Sequence, residues 1–191
     1  MISLDGYTEG SDKELDWHFV DEEYESYSNE LLRSIDAILL GRKTYELFSA
    51  YWPGAESHPD TTANPVRLES AQLLNRLPKH VITTTLKQVD WQNSHIIHED
   101  VINAIARLKA QPGRNIALFG SSQLAAFLSE HQLIDEYRVI INPIILGEGV
   151  SLFNTQRIRM YLHLVGMKKF RSGVIALTYT AKERAEILKN I

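Results

Sequence analysis

Apolar and polar positions along this chain follow two alternating patterns. Residues 37–40 and 115–119 are nearly continuous apolar runs that meet a glycine, which fits strands buried on both faces of a parallel sheet. Residues 21–34 and 65–77 instead place apolar side chains three or four positions apart, which predicts helices. Strands that alternate with helices are typical of βα units, so the pattern predicts an α/β fold with a mainly parallel central sheet flanked by helices. Shorter helices are expected at 42–49, 101–110 and 123–131, and further strands at 80–85 and 94–98.

Two intervals depart from this alternation. Residues 50–64 contain two prolines, a glycine and several small polar residues, which predicts a long surface loop. Asn64 and Pro65 at its end suit a helix start, as the cap and the first helical residue. Residues 160–170 and 174–181 look like long strands joined by a turn, so we expect an antiparallel carboxy-terminal strand pair at one edge of the sheet.

Composition narrows the class of protein. With 191 residues, 44% of them hydrophobic and 23% charged, the chain has the balance of one soluble globular domain, which we expect to span residues 1–191. A net charge of −4 gives no basic field for nucleic acid, and no run approaches the ~18 apolar residues of a membrane span. The chain has no cysteine, which excludes disulfides, thiolate zinc sites and a cysteine nucleophile, and fits a cytoplasmic protein.

The candidate chemistry lies where predicted strands end, because ligands of open α/β sheets bind at the carboxyl edge. Residues 41–44 offer backbone N–H groups and two cations, 83–85 offer three hydroxyls, and 120–122 offer small residues before a helix. Together they favour a dinucleotide or another phosphate-bearing ligand, although neither the glycine-rich Rossmann fingerprint nor a Walker loop is present. Taken singly, a serine after glycine is more often a helix cap, and a threonine run more often reflects strand propensity.

Arg42 and Lys43 carry an unusual charge signal. They stand at the start of a predicted helix, where the macrodipole disfavours cations by a few tenths to ~1 kcal/mol. A bound anion would remove the conflict by pairing with both side chains and with free backbone N–H groups. The alternative is that both side chains point into water, where an exposed charge costs little. From these residues alone the two alternatives stay open.

Four motifs carry a family resemblance. The segments 3–6, 39–46, 118–122 and 142–149 resemble, in order and spacing, the dihydrofolate reductase superfamily, and within it the reductase domain of the riboflavin-biosynthesis deaminase-reductase. The resemblance runs over residues 3–181 and implies NADPH binding and hydride transfer to a small heterocycle or carbonyl. It implies cofactor contacts from Gly41, Arg42, Lys43, Thr44, Thr83, Thr84, Thr85, Phe119, Gly120, Ser121, Ser122, Gln123 and Leu124.

The resemblance also suggests residues for the reaction itself. Asp5 begins the loop that lies beside the nicotinamide in the family. Trp17 precedes Glu22 by five residues, which is the spacing of the substrate-binding carboxylate in dihydrofolate reductases. Asp5 and Glu22 are therefore the catalytic candidates. The suggested substrate contacts are Trp17 and Asn142, together with Trp52, which lies in the predicted loop beside the presumed substrate cleft. The alternative for Trp52 is core packing, because an aromatic cluster at the end of a helix is more often part of the core.

Parts of the family pattern are altered or unexplained in this chain. The alternative for Glu22 is a place in the acidic first turn of a helix, which the dipole favours. Ser121 stands where the family has a second glycine, which requires either a negative φ there or a shifted loop. The loop 147–149 matches the family, but its role does not follow from the sequence. This chain lacks the opening half of the family's first strand, which leaves open whether Met1 is the natural start.

The substrate also stays open at this point. The riboflavin-pathway intermediate 5-amino-6-(5-phosphoribosylamino)uracil is the nearest family chemistry, yet the cysteine-containing deaminase motif is absent from the chain. Dihydrofolate and small carbonyls are the other candidate substrates, and a non-catalytic nucleotide-binding paralogue is the competing class. Similar proteins are often dimers, so we expect a homodimer. No metal site is predicted, since His95 and His98 would point to opposite faces of a strand.

Overall fold

The structure, a computed structural model, describes residues 1–153 and 159–181. The chain divides into two compact units: unit 1 comprises Met1–Asp21 and Ala125–Ile191, and unit 2 comprises Glu22–Leu124. The predicted single domain, 1–191, includes stretches outside the described residues and stays a prediction. Within the described ranges, no helix is both long and apolar enough to cross a membrane.

The helices and strands alternate in chain order over most of the described residues. The elements are β1 (Tyr7–Glu9), α1 (Glu22–Arg33), β2 (Ile35–Gly41), α2 (Arg42–Ser49), α3 (Trp52–Ala55), α4 (Pro59–Thr62), α5 (Pro65–Arg76), β3 (Lys79–Ile82), β4 (Ser94–Ile97), α6 (Val101–Lys109), β5 (Asn115–Leu118), α7 (Ser122–Glu130), β6 (Glu136–Ile141), β7 (Val150–Ser151), β8 (Leu162–Lys169) and β9 (Ile175–Ala181).

Unit 2 contains the predicted parallel sheet. Its four strands lie in the order β4, β3, β2, β5, and every neighbouring pair is parallel. The apolar run of β2 is buried, with Ile38 and Leu40 fully enclosed, as expected for a strand covered on both faces. Helix α1 packs against α5, and α2 packs on β2 and β3. The sequence prediction of a helix-flanked parallel sheet is confirmed.

A buried lysine at the start of β3 lies against the carboxy-terminal end of helix α5. The Lys79 side chain is fully enclosed, and its ammonium lies 4.2 Å from the centre of the Trp91 ring. Burial lowers the pKa of this amine to about 8. A cation here also complements the negative end of the helix dipole. The ammonium donates hydrogen bonds to three main-chain carbonyls, those of Leu74 (2.8 Å), Asn75 (3.1 Å) and Leu77 (2.7 Å).

The stretch 50–64 differs from the predicted surface loop. It folds into two short helices, α3 and α4, each with a proline in its first turn. Proline breaks helix interiors, but its missing N–H costs nothing in a first turn, and so Pro53 and Pro59 are compatible with helix starts. The next helix begins as predicted, with Asn64 Oδ1 accepting hydrogen bonds from the backbone N–H groups of Val66 (3.0 Å) and Arg67 (3.2 Å).

Unit 1 contains the antiparallel part of the fold. Strands β8 and β9 form the predicted carboxy-terminal pair. The prediction placed this pair at the edge of the parallel sheet, whereas β9 pairs along its length with β6 in a three-stranded antiparallel sheet. Strands β6 and β9 pair over six residues, from Glu136 opposite Thr180 to Ile141 opposite Ile175. This pairing places β9 between β6 and β8. The short strands β1 and β7 pair antiparallel, and Ile2 bridges Ile141 in parallel.

Candidate functional site

The three predicted binding segments of unit 2 follow neighbouring strands at one edge of the parallel sheet. Gly41 at the end of β2 stands opposite Ile82 at the end of β3, and Leu39 stands opposite Leu118 at the end of β5. Beyond the strand ends, the backbone N–H of Gly41 donates to the carbonyl of Gly120 at 3.2 Å. The structure therefore brings residues that are about eighty positions apart in the chain to a common edge.

Glycines allow two close approaches at this edge. A Cβ at Gly41 would lie 3.1 Å from Ser121 Oγ and 3.3 Å from Ser121 N, although its φ of −74° suits any residue. Gly120 has a φ of +72°, and a Cβ there would lie 3.1 Å from Thr44 Oγ1. The Gly120–Ser121 peptide is cis. A side chain at Gly41 or at Gly120 would therefore require its neighbour to move by a few tenths of an ångström, and the left-handed conformation of Gly120 adds a preference for glycine there.

Ser121 replaces the second glycine of the family pattern without conflict. Its φ is not positive, and so the backbone here meets the requirement for a residue other than glycine. Its Oγ accepts a hydrogen bond from Leu124 N at 3.4 Å, which makes it the cap of α7. The N–H groups of Ser122 and Gln123 also belong to the first turn of α7. They lie at the amino-terminal end of the helix, which attracts anions.

The cations at the start of α2 are both exposed, but they differ in their partners. Arg42 Nη1 lies 2.9 Å from Glu46 Oε1 and 3.0 Å from Oε2, one helical turn later. This exposed pair partly relieves the charge conflict that the sequence indicated. The Lys43 side chain is exposed, and Gly41 provides no side-chain cap. The first turn of α2 therefore keeps free N–H groups beside a positive charge.

The threonine run lies after β3 rather than inside it. Thr83 is buried, and its Oγ1 accepts hydrogen bonds from the N–H groups of Thr85 and Leu86, both at 3.1 Å. Its carbonyl lies 2.9 Å from His98 Nδ1. The side chains of Thr84 and Thr85 are exposed. Thr83 thus shapes the turn, while Thr84 and Thr85 are available to a ligand.

Asp5 in unit 1 holds a distant loop in place. Its carboxylate accepts hydrogen bonds from Ser3 Oγ (2.6 Å), Gly147 N (2.8 Å) and Leu146 N (3.2 Å). The Ser3 hydroxyl, and then the two backbone donors, lower the pKa of this carboxyl below its ordinary value. A carboxylate held ionised is a poor proton donor near neutral pH. The role of the loop 147–149, which the sequence left unexplained, includes this contact.

We expect the Asp5 contacts to stabilise the fold only while the carboxylate is ionised. Because the folded pKa is lowered, the contribution is complete above the unfolded value of about 4 and is lost as the pH falls through the folded value. Asp5→Asn should therefore lower the melting temperature at pH 7 and have little effect near pH ~2. Thermal unfolding at both pH values checks this, with the exposed neighbour Glu148→Gln as the control. An equal loss for Asp5→Asn at both pH values would contradict it.

Two of the suggested substrate contacts are internal to unit 1. Asn142 is fully buried, its Oδ1 accepts from Phe19 N at 2.9 Å, and its Nδ2 donates to Ile2 O at 3.3 Å. Trp17 is buried, with Nε1 donating to Glu14 O at 3.1 Å. Both side chains form hydrogen bonds to other residues of the chain, which favours a structural role for each.

The other two reaction candidates lie in unit 2. Glu22 is exposed and is the first residue of α1, which matches the alternative of an acidic helix start. Trp52 begins α3 and is half-buried, with its ring edge-on to Phe48 (centroids 6.4 Å apart) and Tyr51 (5.0 Å).

Unit 2 also has an open cavity of about 410 Å³ that the sequence did not predict, and its lining includes Tyr45 and Asp90.

Comparisons with known proteins agree with this fold. The family described as the RibD C-terminal domain matches residues 1–176. The uncharacterized protein YyaP of Bacillus subtilis (strain 168) is 34% identical over 93% of this chain and 90% of its own length. A Shewanella sp. PV-4 protein with a provisional riboflavin-biosynthesis name has a similar structure (TM-score 0.70, 22% identity, 95% of this chain and 96% of that chain).

A dihydrofolate reductase from Enterococcus faecalis, solved in complex with NADP(H), is a more distant structural neighbour. It aligns with a TM-score of 0.57 at 16% identity, over 95% of this chain and 93% of its own. At these identities the two solved structures show the fold alone, which is that of dihydrofolate reductase. The family match covers nearly the whole chain, and so this chain belongs to the RibD C-terminal domain family.

Proposed function

We propose that this protein is an NADPH-dependent reductase that transfers hydride to a small heterocyclic or carbonyl compound. The observation that carries the proposal is the common sheet edge of unit 2, where residues 41–44, 84–85 and 120–124 come together. Parallel α/β sheets bind ligands at this edge, against helix amino termini. Membership of a reductase-domain family and the NADP(H) complex of the enterococcal neighbour support the same reading.

The residues at this edge suit a dinucleotide phosphate. Gly120, where a side chain would crowd Thr44, keeps the approach to α7 open for a pyrophosphate against the N–H groups of Ser122 and Gln123. Arg42 and Lys43 supply the positive charge that a 2′-phosphate requires, beside the uncapped start of α2. Bound NADPH supplies a hydride, and the protein's own contribution is to position both reactants.

The proton that accompanies hydride transfer has one candidate donor on the protein. Glu22 stays a proposal on the family resemblance, because its exposed place at the start of α1 gives it a second explanation. Asp5 is better explained as the anchor of the loop 147–149. A site without a dedicated acid is chemically acceptable, since water can deliver the proton to an exposed product. Trp52 stays a proposed substrate contact, and a homodimer stays a prediction.

The proposal is tested by titrating NADPH and NADH by fluorescence and by following NADPH consumption with a substrate panel. The panel contains dihydrofolate, the ribosylaminouracil intermediate and simple carbonyls. We expect NADPH to bind at least tenfold more tightly than NADH, because charge-assisted hydrogen bonds to the 2′-phosphate each contribute roughly 1.5–3 kcal/mol. Binding of neither cofactor would contradict the proposal. Tight NADPH binding without turnover of any compound would favour the non-catalytic paralogue.

A further inference from the structure

The open cavity of unit 2 has the size and the lining of a small-molecule site. Its volume is about 410 Å³, and pockets for small organic ligands usually measure roughly 300–1,000 Å³. The most buried part of its lining is aromatic: Tyr45 and Trp91 are 5% and 3% exposed, and their ring centres lie 6.4 Å apart. Pro53, Leu86 and Val89 add apolar surface to the same lining. The cavity can therefore receive the apolar body of a small organic molecule.

The cavity is separate from the proposed cofactor site in both position and charge. None of the residues proposed to hold the cofactor belongs to its lining. The cofactor edge presents Arg42 and Lys43, whereas Asp90 is the one charged side chain that lines the cavity among the described residues. Lys87 in the same loop is exposed and does not line the cavity. A cation is therefore favoured here, and a phosphate is not.

Hydrogen bonds hold the walls of the cavity together. The hydroxyl oxygen of Tyr45 accepts from the backbone N–H groups of Asp90 and Trp91, both at 3.1 Å. Trp91 Nε1 donates to Asn75 Oδ1 at 2.6 Å, and Asn75 Nδ2 donates to the carbonyl of Trp52 at 3.0 Å. These bonds connect α2, the start of α3 and the loop after β3. Walls that are already fixed lose little entropy when a ligand binds.

The Tyr45 hydroxyl still has a hydrogen to donate. Its oxygen accepts two N–H groups, but none of the described residues accepts its own O–H. A buried donor without an acceptor costs free energy, so a ligand that supplies the acceptor gains affinity. Tyr45, Asp90 and Trp91 meet at this oxygen and all line the cavity, which places the hydroxyl at the cavity wall. The cavity thus offers one buried donor and one exposed carboxylate.

We infer that this cavity is a second binding site, for a small organic amine with an apolar body and a hydrogen-bond acceptor. The Asp90 carboxylate pairs with the ammonium group, and the Tyr45 hydroxyl donates to the acceptor. Pro53, Leu86 and Val89 pack against the apolar body. The inference goes beyond the proposed reductase function and does not depend on it.

Three matched probes test the charge selection. Phenoxyethylamine, phenoxyethanol and phenoxyacetate share a phenyl ether and differ in the charge of the head group. In NMR titrations of the nitrogen-15-labelled protein at low salt, we expect the amine to bind at least tenfold more tightly than either relative. The shifted signals should be the Trp91 indole N–H and the backbone N–H groups of 86–91, and high salt should narrow the gap. Equal binding of the three probes, binding of none, or shifts confined to other residues would overturn the inference.

A substitution and its control test the location. Asp90→Asn should bring the affinities for phenoxyethylamine and phenoxyethanol to within about twofold of each other. Asp60→Asn removes an exposed carboxylate of unit 2 outside this lining and should leave the preference for the amine unchanged. An unchanged preference in the Asp90 variant, or an equal loss in both variants, would overturn the inference.

Two further titrations test the hydroxyl and the separateness of the site. Phenylpropylamine has a methylene in place of the ether oxygen and should bind several-fold more weakly, because it leaves the Tyr45 hydrogen unpaired. Saturating NADPH should leave the affinity for phenoxyethylamine unchanged. Equal or tighter binding of phenylpropylamine would overturn the role of Tyr45, and displacement of the amine by NADPH would overturn a second site. Failure of the proposed reductase function would appear instead as loss of NADPH binding, with binding of the amine intact.

Discussion

Replacing Gly149 with alanine is expected to lower the free energy of unfolding by about 3–5 kcal/mol. A Cβ at this position would lie 2.1 Å from the carbonyl oxygen of Glu9 and 3.1 Å from Gly10 Cα, both backbone atoms that cannot rotate away. The φ of +140° adds a conformational cost for any residue with a side chain. For a protein of this size, the melting temperature should fall by roughly 10 °C, measured by thermal unfolding.

Gly147→Ala is the matched control for this prediction. Gly147 lies two residues earlier in the same loop and has a φ of +81°, but nothing lies within 4 Å of its Cβ position. Its substitution should therefore cost only the conformational term of about 1–2 kcal/mol. Equal losses for the Gly147 and Gly149 variants would show that the close approach to Glu9 contributes nothing to stability.

Replacing Arg42 with alanine should weaken NADPH binding by about one to two powers of ten and leave NADH nearly unchanged. The two cofactors differ only in the 2′-phosphate, and Arg42 stands with Lys43 at the uncapped start of α2. The Glu46 carboxylate competes for the same guanidinium at 2.9 Å. Glu46→Gln should consequently tighten NADPH binding a few-fold, since it removes both the competitor and a negative charge near the phosphate.

Fluorescence titration of NADPH and NADH against the wild type, Arg42→Ala and Glu46→Gln tests these predicted changes in affinity. Equal losses of NADPH and NADH in the Arg42 variant would mean that this residue does not recognise the 2′-phosphate. The stability of the free protein should change little, because Arg42→Ala removes an unfavourable helix-dipole interaction and a favourable exposed ion pair of similar size.

Local signals in the sequence were enough to predict most elements of the fold. Helix α2 has the predicted bounds, Arg42–Ser49, because a glycine ends the strand before it and a polar, helix-compatible segment follows. The convergence of strand ends at one edge also followed from the sequence, since parallel strands share the direction of their carboxyl ends. Proline was a misleading signal in 50–64, because the rule that it breaks helices does not hold in a first turn.

Contacts between distant loops, unlike the convergence of the strand ends, could not be predicted. The hydrogen bonds from Leu146 and Gly147 to Asp5 join residues more than 140 positions apart, and no spacing rule in the sequence connects them. The same holds for the approach of Gly149 to Glu9. Asn142 was suggested as a substrate contact by the family resemblance, and its burial and its hydrogen-bond partners emerge only from the packed loops.

Lys79 gives unit 2 a built-in chemical reporter of its own opening. The amine is fully enclosed beneath the end of α5, whereas Lys43 and Lys87 are exposed. An acylating reagent should modify the two exposed lysines at once and reach Lys79 only when α5 and β3 separate. The rate of acylation at Lys79, read by peptide mass spectrometry, would then count opening events in native buffer, and a ligand that binds only the closed unit would slow that rate in proportion to its saturation.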